Sequence, residues 1–422
     1  MNIARFKLTK RTCYFYYIAV AAVFVLPPML FYTFHDMYNI SYTLLGTLVL
    51  INFCTQLSID LVFTFFSKYF NVRKTVILMP IITSAGLAIY ALSPILFPGN
   101  VYVGLVLGTF IFSVASGLGE VLISPIIAAM PSDNPEKDMS ILHSLYAWGI
   151  LSVIVVSTIF FKLFGTQNWM YLTLFLSILP LAAAVLFSVA PIPDFSIEQS
   201  KSGKSSKRRS IGLALCTGCI FLGGAAEVTM TNWISVYMEK ALQIPKTYGD
   251  IFGMALFALL LGIGRILYAK FGRNIMSALM IGMISSTVCY LIVGVVNQAV
   301  ISFVACVLVG FFTAMLWPGT LILMEENISS PGIAAYALMA AAGDLGASLA
   351  PQLLGVIVDD VSLSVWGQNL AAQLMCSGEE LGLKVGMLVI ALCPLLGTIL
   401  LLFAKRHFSK GEKCLLNTKS SL

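Results

Sequence analysis

Charge is what this chain has least of. Only 10% of its 422 residues are Asp, Glu, Lys or Arg, against roughly 25% in a soluble globular domain, which excludes a water-exposed fold for most of the sequence. Catalytic patterns are missing too: there is no His-Glu metal motif, no Gly-rich phosphate loop and no serine with a plausible base. An enzyme is not expected, nor is a metal or a cofactor. The nine cysteines, among them Cys54, Cys216, Cys219, Cys289, Cys306 and Cys393, lie mostly inside apolar runs. None has metal-ligand spacing to His or to a second Cys pair, so they read as small packing residues.

What the chain has instead is apolar length. Hydrophobic residues make up 59% of it and the mean hydropathy is +0.93. Runs of about 20 apolar residues, enough to cross a bilayer as a helix, recur at roughly 14–34, 43–66, 74–96, 101–129, 139–164, 168–190, 211–238, 247–269, 275–295, 298–324, 332–358 and 382–404. The expected fold is all-α, a polytopic membrane protein with twelve transmembrane helices. The first run follows basic residues but lacks a small-residue cleavage site, so it is read as a retained helix.

Basic residues set the orientation, because cytoplasmic loops carry the excess of Lys and Arg. With the N-terminus inside, only Lys162, Lys240, Lys246 and Lys384 fall on outer segments. Arg265 lies within a span, and the other 20 of the 25 (25 − 4 − 1) fall inside. Both termini are expected in the cytoplasm, and the net charge of +6 is a topology signal that does not point to nucleic acid. The outer loop over 359–382 contains Asp359, Asp360, Glu379 and Glu380, and it is expected to be a solvated acidic connector.

Residues 191–210 form the clearest linker, polar, basic and Ser/Gly-rich from Lys201 to Arg209. They separate an expected N-terminal bundle at 1–190 from a C-terminal bundle and tail at 211–422. Weak internal similarity supports two related halves. Pro125 and Pro318 fall late in spans four and ten, each followed 18 residues later by His143 or Tyr336, and Lys68-Tyr69-Phe70 resembles Lys270-Phe271-Gly272-Arg273. Two pseudo-symmetric six-helix bundles with a central binding site are the architecture of many secondary transporters.

Six plus six spans, a basic central loop and the stretch Gly264-Arg265-Ile266-Leu267-Tyr268-Ala269-Lys270-Phe271-Gly272-Arg273 together resemble the major facilitator superfamily. A narrower resemblance starts at Gly117-Leu118-Gly119-Glu120 through Ser124-Pro125 and continues at Leu142-His143-Ser144-Leu145-Tyr146-Ala147-Trp148-Gly149. These are similar in spacing to spans four and five of the fucose:proton symporter subgroup. The resemblance implies that Glu120 is a protonatable, substrate-linked carboxylate and that Tyr146 stands where the family has a polar sugar-binding side chain. The first span departs from the subgroup, since Phe24-Val25-Leu26-Pro27-Pro28-Met29-Leu30 has no acid.

Ionisable residues at membrane depth are costly and usually functional. Glu120, Glu227 and Asp344 are expected to couple protons. His143, Tyr146, Glu227, Trp233 and Trp317 are expected to contact the substrate, divided between the halves. Small neighbours around Asp344, from Ala340 to Ala347, also suit a hydrogen bond to a close helix. Asp60 and Arg265 occupy corresponding positions of spans two and eight, which in the resembled fold border the gap between halves, so both are expected to gate. Pro27-Pro28, Pro125, Pro318 and Pro351 are expected to kink their helices.

The expected function is a monomeric plasma-membrane transporter that moves a small polar solute, a sugar or related compound, together with protons. Its partners are then the solute, protons and the lipid bilayer. An efflux antiporter for an amphipathic compound would use the same acids in the opposite sense. A receptor would need a signalling or ligand-binding domain for which the spans leave no room.

Overall fold

The computed structural model describes residues 3–66, 70–133, 135–193, 207–328 and 333–419. The expected linker core and residues 67–69, which include part of the Lys68-Tyr69-Phe70 repeat match, therefore lie outside the described residues. The chain builds α1 (Lys7–Tyr38), α2 (Tyr42–Phe66), α3 (Val72–Ala91), α4 (Val101–Ala129), α5 (Pro135–Phe164) and α6 (Trp169–Val189). It continues with α7 (Lys207–Lys240), α8 (Leu256–Phe271), α9 (Ile275–Val295), α10 (Ala299–Thr313, resumed as Leu316–Asn327), α11 (Ile333–Leu363) and α12 (Gly378–Ile390, resumed as Leu392–Lys419). A π-helical turn, Gly249–Ala255, leads into α8. Among the described residues there is no strand.

Eleven helical stretches among the described residues are long and apolar enough to cross a membrane, and α5 adds a shorter apolar part at Trp148–Phe164. Leu163, Tyr171, Val189, Ile266 and Val300 are each about two-thirds exposed, a surface that suits lipid tails and would be unfavourable in water. The twelve-helix, all-α reading of the sequence holds.

The chain divides into two compact units, Met1–Glu198 with Pro245–Ala258, and Gln199–Ile244 with Leu259–Leu422. Within unit 1, α1 packs on α5, α3 on α4 and α6, and α2 on α4. Unit 2 repeats most of this, with α7 on α11 and α9 on α10 and α12. Among the described residues the α2–α4 pairing has no equally extensive counterpart between α8 and α10. The caps repeat as well: Asn71 accepts from the Lys74 N–H and Asn274 from the Ser277 N–H, each at 3.0 Å, opening α3 and α9. An Asn at this position satisfies a donor that the helix itself leaves orphaned.

Small residues set the closest approaches. A Cβ added to Gly346 on α11 would stand 2.0 Å from the carbonyl oxygen of Phe221 on α7. The buried cysteines behave as read, since Cys216 and Cys219 pack with Ile220, Met283 and Leu401 in the core of unit 2.

The segment 359–382, expected as a solvated acidic connector, folds as the end of α11, a short helix Val365–Gln373 and the start of α12. Two of its four acids form ion pairs, Glu379 with Lys240 at 2.9 Å and Glu380 with Lys384 at 2.7 Å. Ser377 caps α12 by accepting from the Glu380 N–H at 3.0 Å, the spacing of a capping box. Ser377→Ala should cost about 1 kcal/mol, read as a lower unfolding midpoint of purified protein. Among the prolines, Pro27, Pro28, Pro125 and Pro351 lie in helices that stay continuous, whereas α10 breaks at Ala314 and Met315, just ahead of Pro318.

Candidate functional site

In unit 1 the focus is Glu120. Gly117 docks on α2, where an added Cβ would stand 3.0 Å from the Ile59 Cβ, and Gly119 docks on α1, where it would stand 3.0 Å from the Tyr16 hydroxyl. At 100° per residue, Glu120 lies between these two contacts and points into the unit, away from lipid. Gly117, Leu118, Gly119, Leu122 and Ile123 around it are buried, yet Glu120 itself is exposed, so its carboxylate borders open space within the protein. Among the described residues it makes no ion pair. Asp60 on α2 and Tyr17 on α1 are near enough to feel its charge.

Aromatic rings adjoin this acid. The Tyr17 hydroxyl lies 3.4 Å from that of Ser124, one turn beyond Glu120. Tyr146 on α5 packs edge-on against Tyr17 and Phe24, with centroids 6.3 and 5.7 Å apart. Tyr146 and Glu120 thus belong to one neighbourhood, assembled from α1, α4 and α5. His143 is on α5 one turn earlier, but its side chain lies outside the described residues. Tyr17 and Ser124 escaped sequence reading, because a tyrosine and a serine inside apolar runs carry no signal of their own.

A polar ladder extends from there into the unit. The Asn52 Oδ1 accepts from Gln56 at 3.0 Å and from Ser113 at 2.6 Å, and all three side chains are buried. Asn52, Gln56 and Asp60 recur every four residues, a single face of α2. That periodicity could have been found in the sequence.

In unit 2 the acids are spoken for differently. Glu227 pairs with Arg265 at 3.2 Å, Oε1 to Nη2, and the Arg265 Nε–H donates to the Ala314 carbonyl at 3.1 Å. The two residues were expected in separate roles, coupling and gating, and the structure joins them inside one unit. Thr231 turns back to the Glu227 backbone carbonyl at 2.9 Å. Asp344 is buried on α11.

The two tryptophans expected to meet the substrate are both packing groups in this conformation. Trp233 is fully buried, and its indole N–H donates to the Pro351 carbonyl at 3.1 Å, so it presents no surface to a solute and is no interfacial anchor. Trp317 is half-buried and wedged between α7 and α11, 3.0 Å from a Cβ added at Gly224 and 2.4 Å from one added at Gly343. Glycine at both positions is what admits the ring.

One ion pair went unread. Lys246, taken from the sequence as an outer-loop charge, has a side chain only 10% exposed and meets Asp250, 1% exposed, at 3.1 Å. It also donates to the Met29 carbonyl, which ties the π-helical turn to α1. The i, i+4 spacing of Lys246 and Asp250 was the available signal.

Solved structures of transporters share this fold. A bacterial homologue of the human lysosomal transporter Spinster is 12% identical, with 95% of this chain and 97% of that one covered and a TM-score of 0.70. The nucleoside transporter NupG is also 12% identical, with 96% and 100% covered and a TM-score of 0.70. FucP in its outward conformation is 13% identical, with 95% and 99% covered and a TM-score of 0.58. Likeness at such identity bears on the fold alone. No curated protein sequence matches the chain. Residues 13–351, four-fifths of its length, match the sequence model of the Major Facilitator Superfamily, and with that match and its twelve helices the chain belongs to the superfamily, a membrane transporter and not an enzyme.

Proposed function

We propose that this protein is a secondary active transporter that carries a small polar solute, a sugar or related compound, in symport with protons by alternating access. The observation that supports this most is Glu120, an exposed carboxylate that points inward from a membrane helix, without an ion pair among the described residues and beside Asp60. Two nearby acids in an apolar setting repel one another, and a proton on one of them relieves that repulsion. Emptying and refilling such an acid is the elementary step of proton coupling. The likeness of 117–125 and 142–149 to the fucose:proton symporter subgroup supports the same assignment.

In this reading Glu120 couples protons, with Asp60 beside it. Tyr17, Tyr146 and Ser124 offer hydroxyl groups and ring edges to the solute. Glu227 and Arg265 form a charged pair in unit 2 whose remaining donors and acceptors suit a hydroxylated molecule, and Asp344 is a further coupling candidate. His143 keeps its sequence-based assignment as a substrate contact. The protein works as a monomer in the plasma membrane, with both termini in the cytoplasm.

A second reading has its own observation. Tyr17, near enough to feel the Glu120 charge, packs on Tyr146, which packs in turn on Phe24, a setting that also suits a cationic amphipath, since ring faces and a carboxylate both attract positive charge. The protein would then export such compounds in exchange for protons.

Uptake into proteoliposomes against panels of sugars and of cationic drugs, with an imposed pH gradient, separates the two. A symporter accumulates its solute when the outside is more acidic. An antiporter accumulates when the inside is more acidic. Transport of any tested solute that ignores the gradient in both directions overturns proton coupling.

A further inference from the structure

α10 is interrupted where α8 meets it. Pro318 has no N–H, so the carbonyl four residues before it, Ala314, loses the helical hydrogen bond it would otherwise accept. A buried carbonyl left unpaired is costly. Here the Arg265 Nε–H supplies the missing donor at 3.1 Å. Gly264, the preceding residue, brings the backbones together: a Cβ there would stand 2.7 Å from the Ala314 Cβ and 3.0 Å from the Phe311 carbonyl oxygen. Among the described residues α8 has no extensive helix packing of its own in unit 2, so this junction is its principal attachment to α10.

The same guanidinium reaches the other way, to Glu227 on α7 at 3.2 Å. The second carboxylate oxygen of Glu227 is buried and has no hydrogen-bond partner among the described residues. Arg265 is therefore the one described group that satisfies this carboxylate, and the carboxylate is what aims the guanidinium. A planar fork can serve two acceptors at once, from Nε and Nη2, in a way a lysine ammonium cannot reproduce in the same geometry.

We infer that Arg265 is a positioning residue that joins the Glu227 carboxylate to the proline break in α10, so that the charge on α7 sets how firmly α10 is held at its break. Whatever neutralises or engages Glu227 frees the guanidinium, and the Ala314 carbonyl loses its donor. This coupling is a property of unit 2 alone and holds whichever solute is carried.

Hydrogen–deuterium exchange of the purified full-length protein tests it, read on peptides covering 313–320. Arg265→Met should raise exchange there about tenfold or more, the size expected when a charge-assisted hydrogen bond is lost. Glu227→Gln, which keeps the shape and removes the charge, should raise it by a smaller factor. The decisive background is Pro318→Ala, which restores an N–H to the Ala314 carbonyl. In that background Arg265→Met should change exchange less than twofold. An equal increase with and without Pro318 overturns the inference, as does no increase in either, or an increase spread evenly over α4 and α10. Should Arg265→Met fail to fold, Arg265→Lys carries the same comparison, since it keeps the charge beside Glu227 and lacks the Nε donor. If that variant leaves 313–320 as protected as in the wild type, the inference is overturned.

Discussion

If Glu120 couples protons as proposed, Glu120→Gln should abolish uphill accumulation of solute while leaving exchange of solute across the membrane largely intact. The glutamine resembles a permanently protonated acid, so the transporter can still bind and reorient but can no longer release its proton. A one-unit pH gradient is worth 1.36 kcal/mol, or about tenfold accumulation for one proton per solute. The wild type should approach that limit in proteoliposomes, and the variant should stop at equal concentrations on both sides. Counterflow, which needs no net proton movement, should persist. Proton-driven accumulation at the wild-type level by Glu120→Gln would remove Glu120 from the coupling role. Glu120 sits between the helix contacts of Gly117 and Gly119 and is exposed while Gly119, Leu122 and Ile123 are buried.

The second large effect is structural. Gly346→Ala should break a close contact between α7 and α11 in unit 2, because the new methyl would stand 2.0 Å from the Phe221 carbonyl oxygen and 2.9 Å from its carbon. Both atoms are backbone, so no side chain can rotate away and α7 and α11 must separate. Overpacking a close contact costs about 1–3 kcal/mol when side chains can adjust, and here they cannot, so the loss should exceed the upper figure. Gly262→Ala is the matched control, since nothing lies within 4 Å of its added Cβ. In a helix that change should be neutral or stabilising by roughly 0.5–1 kcal/mol. Thermal unfolding and monodisperse yield of the two variants should therefore diverge sharply. Equal behaviour would mean that α7 and α11 are farther apart than this structure places them.

Of the candidate residues, those with a cost attached were legible. Glu120, Glu227, Arg265 and Asp344 stand out in an apolar chain because charge there needs a reason. Tyr17 and Ser124 do not, since a hydroxyl inside a membrane helix can satisfy itself on its own backbone, as Thr231 does toward Glu227. Trp233 shows the limit of helical wheels. Its place on α7 could be computed from spacing, but only the approach of α11 reveals that the indole is spent on the Pro351 carbonyl. Lys246 was misjudged for the opposite reason. It was counted as a loop charge, whereas Asp250 one turn later and the Met29 carbonyl bury it.

By itself the sequence determined the number and character of the helices and where charge sits inside them. These follow from local quantities, apolar length and the sign of flanking charge, which need no knowledge of neighbours. Pro318 even marks in advance which carbonyl, that of Ala314, must look for another donor. What the sequence could not say is who supplies it. Arg265 lies 49 residues from Ala314 and 38 from Glu227, and only the close packing of α8 at Gly264 brings one guanidinium within reach of both. Tertiary structure alone decided those pairings, because a hydrogen bond depends on a few tenths of an ångström between helices whose separation is set by glycines on their facing sides.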